Sequence, residues 1–186
     1  MEKTALLIVD MINDFHFERG DSLYRAARDA ALEIRSLRDR LTVPVVYVND
    51  NFKQWHRNFD DTVTAIEKSS EEGRDIISIL RPRDEDYYVL KPDRSGFYET
   101  PLEVLLRDIR AEGVIVTGVT TDMCVLHTAN DAYIRGFKLA VPADCTASIR
   151  PEYHTEALSI LERTVEADIR LWRESLDDVK EKFAAS

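Results

Sequence analysis

Apolar residues in this chain fall into two alternating patterns. Short unbroken apolar runs are followed by longer stretches in which apolar side chains recur every three or four positions. The first run, Thr4–Val9 (TALLIV), has no polar alternation, as expected of a strand covered on both faces. Residues 22–41 then place Ala26, Ala30, Ile34, Leu37 and Leu41 along one helical stripe. Pro44 cannot continue that helix, and 45–48 (VVYV) reads as the next strand. A polar stretch, 49–73, reads as a loop long enough to suggest function. Strand patterns recur at 87–90, 114–116 and 138–141, and a weaker one at 168–171. Helical patterns cover 100–111, 121–135 and 151–165. Thr100 and Pro101 stand at the N-cap and N1 of the first, and Gly113 and Gly136 punctuate the first two. A charged helix is expected at 174–183.

Strands alternating with helices imply right-handed βαβ units. The expected fold is therefore α/β: three α/β/α layers around a mostly parallel, doubly wound sheet of about six strands. The chain has 186 residues, 44% of them apolar, which suits one domain spanning 1–186. With 25 Lys+Arg against 35 Asp+Glu, the net charge is −10. That sign argues against a nucleic-acid surface or docking on an anionic membrane. No apolar run approaches the roughly 20 residues of a membrane helix. The first residues lack the layout of a signal peptide, so a cytoplasmic location is expected. Two cysteines, Cys124 and Cys145, exclude a disulfide-rich scaffold.

In a parallel sheet, ligands bind beyond the carboxyl ends of the strands. Three reactive side chains fall there. Asp10 follows the first strand, Lys91 the third, and Cys124 comes shortly after the fourth. Singly each has an ordinary explanation: a turn Asp, an exposed Lys, a small buried Cys. Together they make a chemical set. A helix N-terminus and a lysine ammonium favour a thiolate at Cys124, and a carboxylate can move its proton.

The residues around this set resemble the isochorismatase-like cysteine hydrolases, which include nicotinamidases and N-carbamoylsarcosine amidase. The resemblance runs through about Leu171. Leu7-Ile8-Val9-Asp10-Met11-Ile12-Asn13-Asp14-Phe15 is similar to the family's opening D-x-x-x-D-F turn. Lys91-Pro92-Asp93-Arg94-Ser95-Gly96-Phe97 with Thr100 and Leu102 is similar to its K-x-x-x-S-x-F-x-x-T-x-L. Gly118-Val119-Thr120-Thr121-Asp122-Met123-Cys124-Val125, with Thr128-Ala129 and Asp131-Ala132 behind it, is the most specific segment. Val141-Pro142-Ala143-Asp144 is the fourth. The resemblance implies a catalytic triad of Asp10, Lys91 and Cys124, and a cis peptide between Val119 and Thr120. It also implies an oxyanion hole made by the backbone N–H groups of Thr120 and Cys124, and a homodimer or higher homo-oligomer.

The chain departs from the family in two places. Nicotinamidases carry a metal site in a D-x-H pattern with a further His. Here Asp50 matches the Asp, but Phe52 stands at the first His position and His56 has no partner at the expected spacing. No metal and no other cofactor is expected, and nicotinamide is not the expected substrate. Ile12 also replaces a Gln common in the opening motif. Phe15, Trp55, Phe97 and Tyr98 are candidate walls of an apolar substrate pocket, with core packing as the alternative. Asn49 and Asp50 are candidate polar contacts to substrate, with turn chemistry as the alternative. The function expected is hydrolysis of a C–N bond in a small amide, imide or ureido compound through an acyl thioester. The only partner expected besides further copies of the chain is that small molecule. Two other functions fit parts of the pattern. One is a redox-sensing or small-molecule-binding module built on an activated Cys124. The other is vinyl-ether hydrolysis, which needs no cysteine nucleophile.

Overall fold

A computed structural model describes residues 3–175. Its sheet contains β1 (Thr4–Val9), β2 (Val45–Asp50), β3 (Tyr87–Lys91), β4 (Gly113–Val119), β5 (Lys138–Ala140) and β6 (Thr146–Ala147). The order is β3-β2-β1-β4-β5, with β6 beside β4, and these pairings are parallel. Helices α1 (Gly20–Arg40), α2 (Phe59–Ser69) and α3 (Glu71–Ile79) connect the first three strands, and α4 (Leu102–Asp108) leads into β4. A π-type turn, Thr121–Val125, opens α5 (Leu126–Ile134), and α6 (Pro151–Val165) closes the helical layer.

The unbroken apolar runs follow from burial on both faces. Leu6, Ile8, Val45, Tyr47 and Ile115 pack with Ala27 and Ile34 of α1, Ile66 of α2 and Ile76 of α3. Their sequence neighbours Leu7, Val9, Val46, Val48, Val114 and Val116 pack with Leu106 of α4, Ala129 of α5 and Leu161 of α6. Successive side chains on a strand point to opposite faces, so two apolar layers demand an apolar residue at every position. The sheet is therefore the mostly parallel, six-stranded α/β/α arrangement expected.

The chain steps outward from β1 to β3, then returns to the far side of β1 with β4. The switch point lies between β1 and β4, where ligands of such sheets bind. Gly118 permits the close approach there. It has φ +107°, and a Cβ on it would stand 2.0 Å from the Val9 carbonyl oxygen.

Several boundaries differ from the expectation. Much of the 49–73 stretch is helical, because Asn58 and Ser70 cap α2 and α3 by accepting from the Asp61 and Gly73 N–H groups. The sixth strand is Thr146–Ala147; at 168–171 there is only an isolated bridge between Ala140 and Asp168. Helix α4 ends at Asp108, followed by Arg110 with φ +58°, and Gly113 begins β4 instead of capping the helix. Most of the expected helix at 174–183 lies outside the described residues. No helix among the described residues is long and apolar enough to cross a membrane.

Candidate active site

Three strand ends meet at the switch point. Asp10 leaves β1 with φ +51°, a left-handed backbone that an L-residue adopts only when its surroundings hold it. They do so here: the Asp10 N–H donates to Val48 O at 3.0 Å, and its Oδ1 accepts from the Asp50 N–H at 2.7 Å. Lys91, the last residue of β3, is fully buried. Its Nζ lies 2.8 Å from Asp10 Oδ2, 3.0 Å from Asp93 O and 3.5 Å from Cys124 Sγ. Those contacts use the three N–H bonds of the ammonium. Cys124 lies in the π-type turn that opens α5. The structure thus brings Asp10, Lys91 and Cys124 together. The peptide between Val119 and Thr120, immediately before that turn, is cis.

The electrostatics differ from the expectation of a resting thiolate. Burial pushes the Cys124 thiol up to about 12, the Asp10 carboxylate adds to the rise, and Lys91 only partly offsets them. Burial also lifts Asp10 above the usual carboxylate range, against the pull of Lys91, Cys124 and the Asp50 N–H. Burial lowers Lys91, but Asp10 and Cys124 outweigh it and hold the ammonium above its ordinary value. The resting site is therefore a protonated thiol beside the Asp10–Lys91 pair. Desolvation, invisible in the residue order, outweighs the lysine.

The Cys124 turn and the Lys91 loop are braced by residues other than these three. Thr121 Oγ1 lies 2.8 Å from His154 Nδ1 on α6, and Ser148 Oγ donates to Asp122 at 2.6 Å. Thr128 Oγ1 accepts from the Gly96 N–H, while Ser95 Oγ donates to Asp131, which Arg135 also holds. Sequence motifs flagged Ser95, Thr128 and Asp131, but nothing in the order of residues pairs them.

The candidate substrate residues divide. Tyr98 and Trp55 are exposed, Trp55 at 75%, on the loops after β3 and β2. Tyr98 borders a hollow of about 430 Å³ with Arg94, His127 and Asn130. Phe97 is not brought to Asp10, Lys91 and Cys124: it is buried in the helix layer, 6.1 Å from the Phe137 ring with Arg135 over its face. Phe15 is buried, edge-on to Tyr24 of α1 at 5.7 Å. Asn49 is not free to meet a substrate. It is 1% exposed, and its amide bonds the Ile12 N–H, Ile12 O and Asp50 O. Asp50 Oδ1 accepts from the Phe52 N–H at 2.6 Å, the turn chemistry of an Asx residue, and its Oδ2 lies 3.8 Å from Lys91 Nζ.

These residues do not fit a metal ion. Phe52 offers no ligand atom, the Asp50 carboxylate is engaged by an N–H and faces a cation, and no group of three His, Cys, Asp or Glu among the described residues is placed to hold one.

A profile of the isochorismatase domain matches residues 4–169. The chain is 38% identical over 168 residues to YaaI of Bacillus subtilis, an uncharacterized isochorismatase family protein, covering 89% of this chain and 92% of YaaI. It is 30% identical over 163 residues to nicotinamidase 3 of Arabidopsis thaliana, covering 83% and 78%. Among solved structures, N-carbamoylsarcosine amidase from Thermoplasma acidophilum is 30% identical, with 91% and 96% covered and a TM-score of 0.65.

Proposed function

The chain belongs to the isochorismatase family, and from that premise we propose that it is a metal-independent cysteine hydrolase cleaving the C–N bond of a small amide, imide or ureido compound. The observation that carries this reading is one buried ammonium 2.8 Å from a carboxylate and 3.5 Å from a thiol, each group supplied by a different strand end.

Asp10 takes the Sγ proton as Cys124 attacks the carbonyl carbon, so the thiolate arises only during attack. Lys91, already within reach of Sγ, balances the developing sulfur anion while Asp10 becomes neutral. The N–H groups of Thr120 and Cys124 hold the oxyanion. Collapse breaks the C–N bond, and Asp10 returns its proton to the departing amine, leaving an acyl thioester. Water then attacks the thioester, with Asp10 as base. The C–S bond breaks, the acid leaves, and Asp10 returns the proton to sulfur. A carboxylate that burial lifts above its usual range holds a proton more readily, which suits a group that must both take and give one.

The redox-sensing alternative needs no carboxylate beside the cysteine to move its proton, so the clustering of Asp10, Lys91 and Cys124 disfavours it. Screening small amides, imides and ureido acids for released ammonia or amine tests the proposal. Turnover should vanish in Cys124→Ala and fall about 10²–10⁴-fold in a folded Asp10→Asn, because general acid–base catalysis contributes on that order. Turnover surviving Cys124→Ala would point to vinyl-ether-type chemistry. A folded Asp10→Asn at wild-type rate would remove Asp10 from the mechanism.

A further inference from the structure

From the contacts of β2 we infer that Asn49 is a positioning residue for Asp10, an inference that rests on the proton-shuttle reading above. Asn49 sits one residue before the end of β2, fully inside the protein. Its Oδ1 accepts from the Ile12 N–H at 3.1 Å, and its Nδ2 donates to Ile12 O at 3.0 Å and Asp50 O at 3.2 Å. One side chain therefore imitates a strand neighbour, pairing with both backbone groups of a residue that lies beyond β1.

The segment it grips is the one that needs gripping. Asp10 has left the ladder in a left-handed conformation. Regular pairing of β1 with β2 ends at Val9 and Val48. Beyond it the Asp10 N–H still donates to Val48 O, and two further ties from adjacent residues of β2 hold the turn. The Asp50 N–H fixes Asp10 Oδ1, and the Asn49 amide fixes Ile12 two residues on. With Oδ1 anchored, Oδ2 is left to Lys91 at 2.8 Å, with Cys124 beside it. Loss of the Asn49 tie lets the 10–12 turn move away from β2. The Asp50 N–H and the Lys91 contact then weaken together, and both of them favour ionised Asp10.

The step to watch is acylation of Cys124 by p-nitrophenyl acetate. Asp10 takes the Sγ proton, sulfur attacks the acetyl carbon, and p-nitrophenolate departs without needing a proton. The burst therefore reads acylation, in which the only proton transfer is from the thiol to Asp10, and mass spectrometry confirms acetyl on Cys124. Asn49→Ala should slow the burst about 10- to 100-fold, since small displacements of reacting groups cost on that order. Its acid limb should move to higher pH, because Asp10 loses contacts that hold it ionised. A loss of stability alone would lower the melting temperature and leave the acid limb of the folded protein in place. Asn49→Thr fits a strand and keeps one hydroxyl for Ile12; it should fall between wild type and Ala, and it is read in the same way if Ala does not fold. Asp10→Asn separates the two readings. If it leaves the burst unchanged, the shuttle itself fails. If it abolishes the burst while folded Asn49 variants keep the wild-type rate and acid limb, only the role of Asn49 is overturned.

Discussion

Replacing Lys91 with Met removes the buried cation while keeping an unbranched chain of similar length. Two unit charges 2.8 Å apart attract by about 6 kcal/mol at an effective dielectric near 20. Part of this is offset, since the lysine's own desolvation cost disappears and the Asp50 N–H still holds Asp10. A neighbouring cation ordinarily lowers a carboxylate by ~1–3 pH units, so Asp10 in Lys91→Met should titrate higher by about that amount. Asp10 already stands above its unfolded value in the wild type. A group raised on folding keeps its proton in the native state at pH values where the unfolded chain has released it. Stability is then greatest below the unfolded carboxylate value and falls as pH rises through the folded one. Every additional pH unit by which Asp10 titrates higher is worth about 1.4 kcal/mol. Thermal unfolding followed across the acid-to-neutral range should therefore show a steeper loss toward neutrality in Lys91→Met than in wild type. Turnover at neutral pH should fall by about 100-fold, with its acid limb displaced upward, because the base is protonated when it must accept. A folded Lys91→Met whose acid limb and stability profile match the wild type would refute the claim that this ammonium sets the ionisation of Asp10.

Iodoacetamide should react slowly with Cys124 at neutral pH and about tenfold faster per pH unit as its value near 12 is approached; rapid neutral labelling of the wild type would contradict a buried, carboxylate-flanked thiol. Exhaustively chelated protein should retain its hydrolase activity. Loss on chelation with recovery on adding zinc, iron or manganese would show that a metal site exists despite Phe52. Phe97→Ala should cost about 3–5 kcal/mol of stability by urea unfolding while leaving KM unchanged, as for a core ring packed on Phe137; a raised KM at undiminished stability would return Phe97 to the substrate pocket.

Much of the architecture was legible in the order of residues. A parallel strand buried on both faces is apolar along most of its length, so β1, β2 and β4 announce themselves as short apolar runs. The placing of Asp10, Lys91 and Cys124 at strand ends was equally local, because each follows its own run directly or within a few residues. Helices α2 and α3 were written in the caps Asn58 and Ser70, but their polar surroundings read as loop. Strand β6 has two residues, too few for any periodicity to show.

Strand order, charge state and the roles of individual side chains were decided only in three dimensions. Nothing local tells β4 to return beside β1, yet that choice makes Asp10 and Cys124 neighbours. Lys91 meets a sulfur 33 residues away, and Asn49 meets Ile12 across 37, contacts that depend on register and not on spacing. The helix terminus and the lysine, both readable in sequence, predict a thiolate; burial, which is not, pushes the thiol up to about 12. Residue type alone points Phe97 and Asn49 toward a pocket, and packing places one in the helix layer and the other against the Ile12 backbone. Apolar periodicity records which face of an element is covered. It carries no record of which residues of other elements cover it, and desolvation and hydrogen bonding depend on those residues.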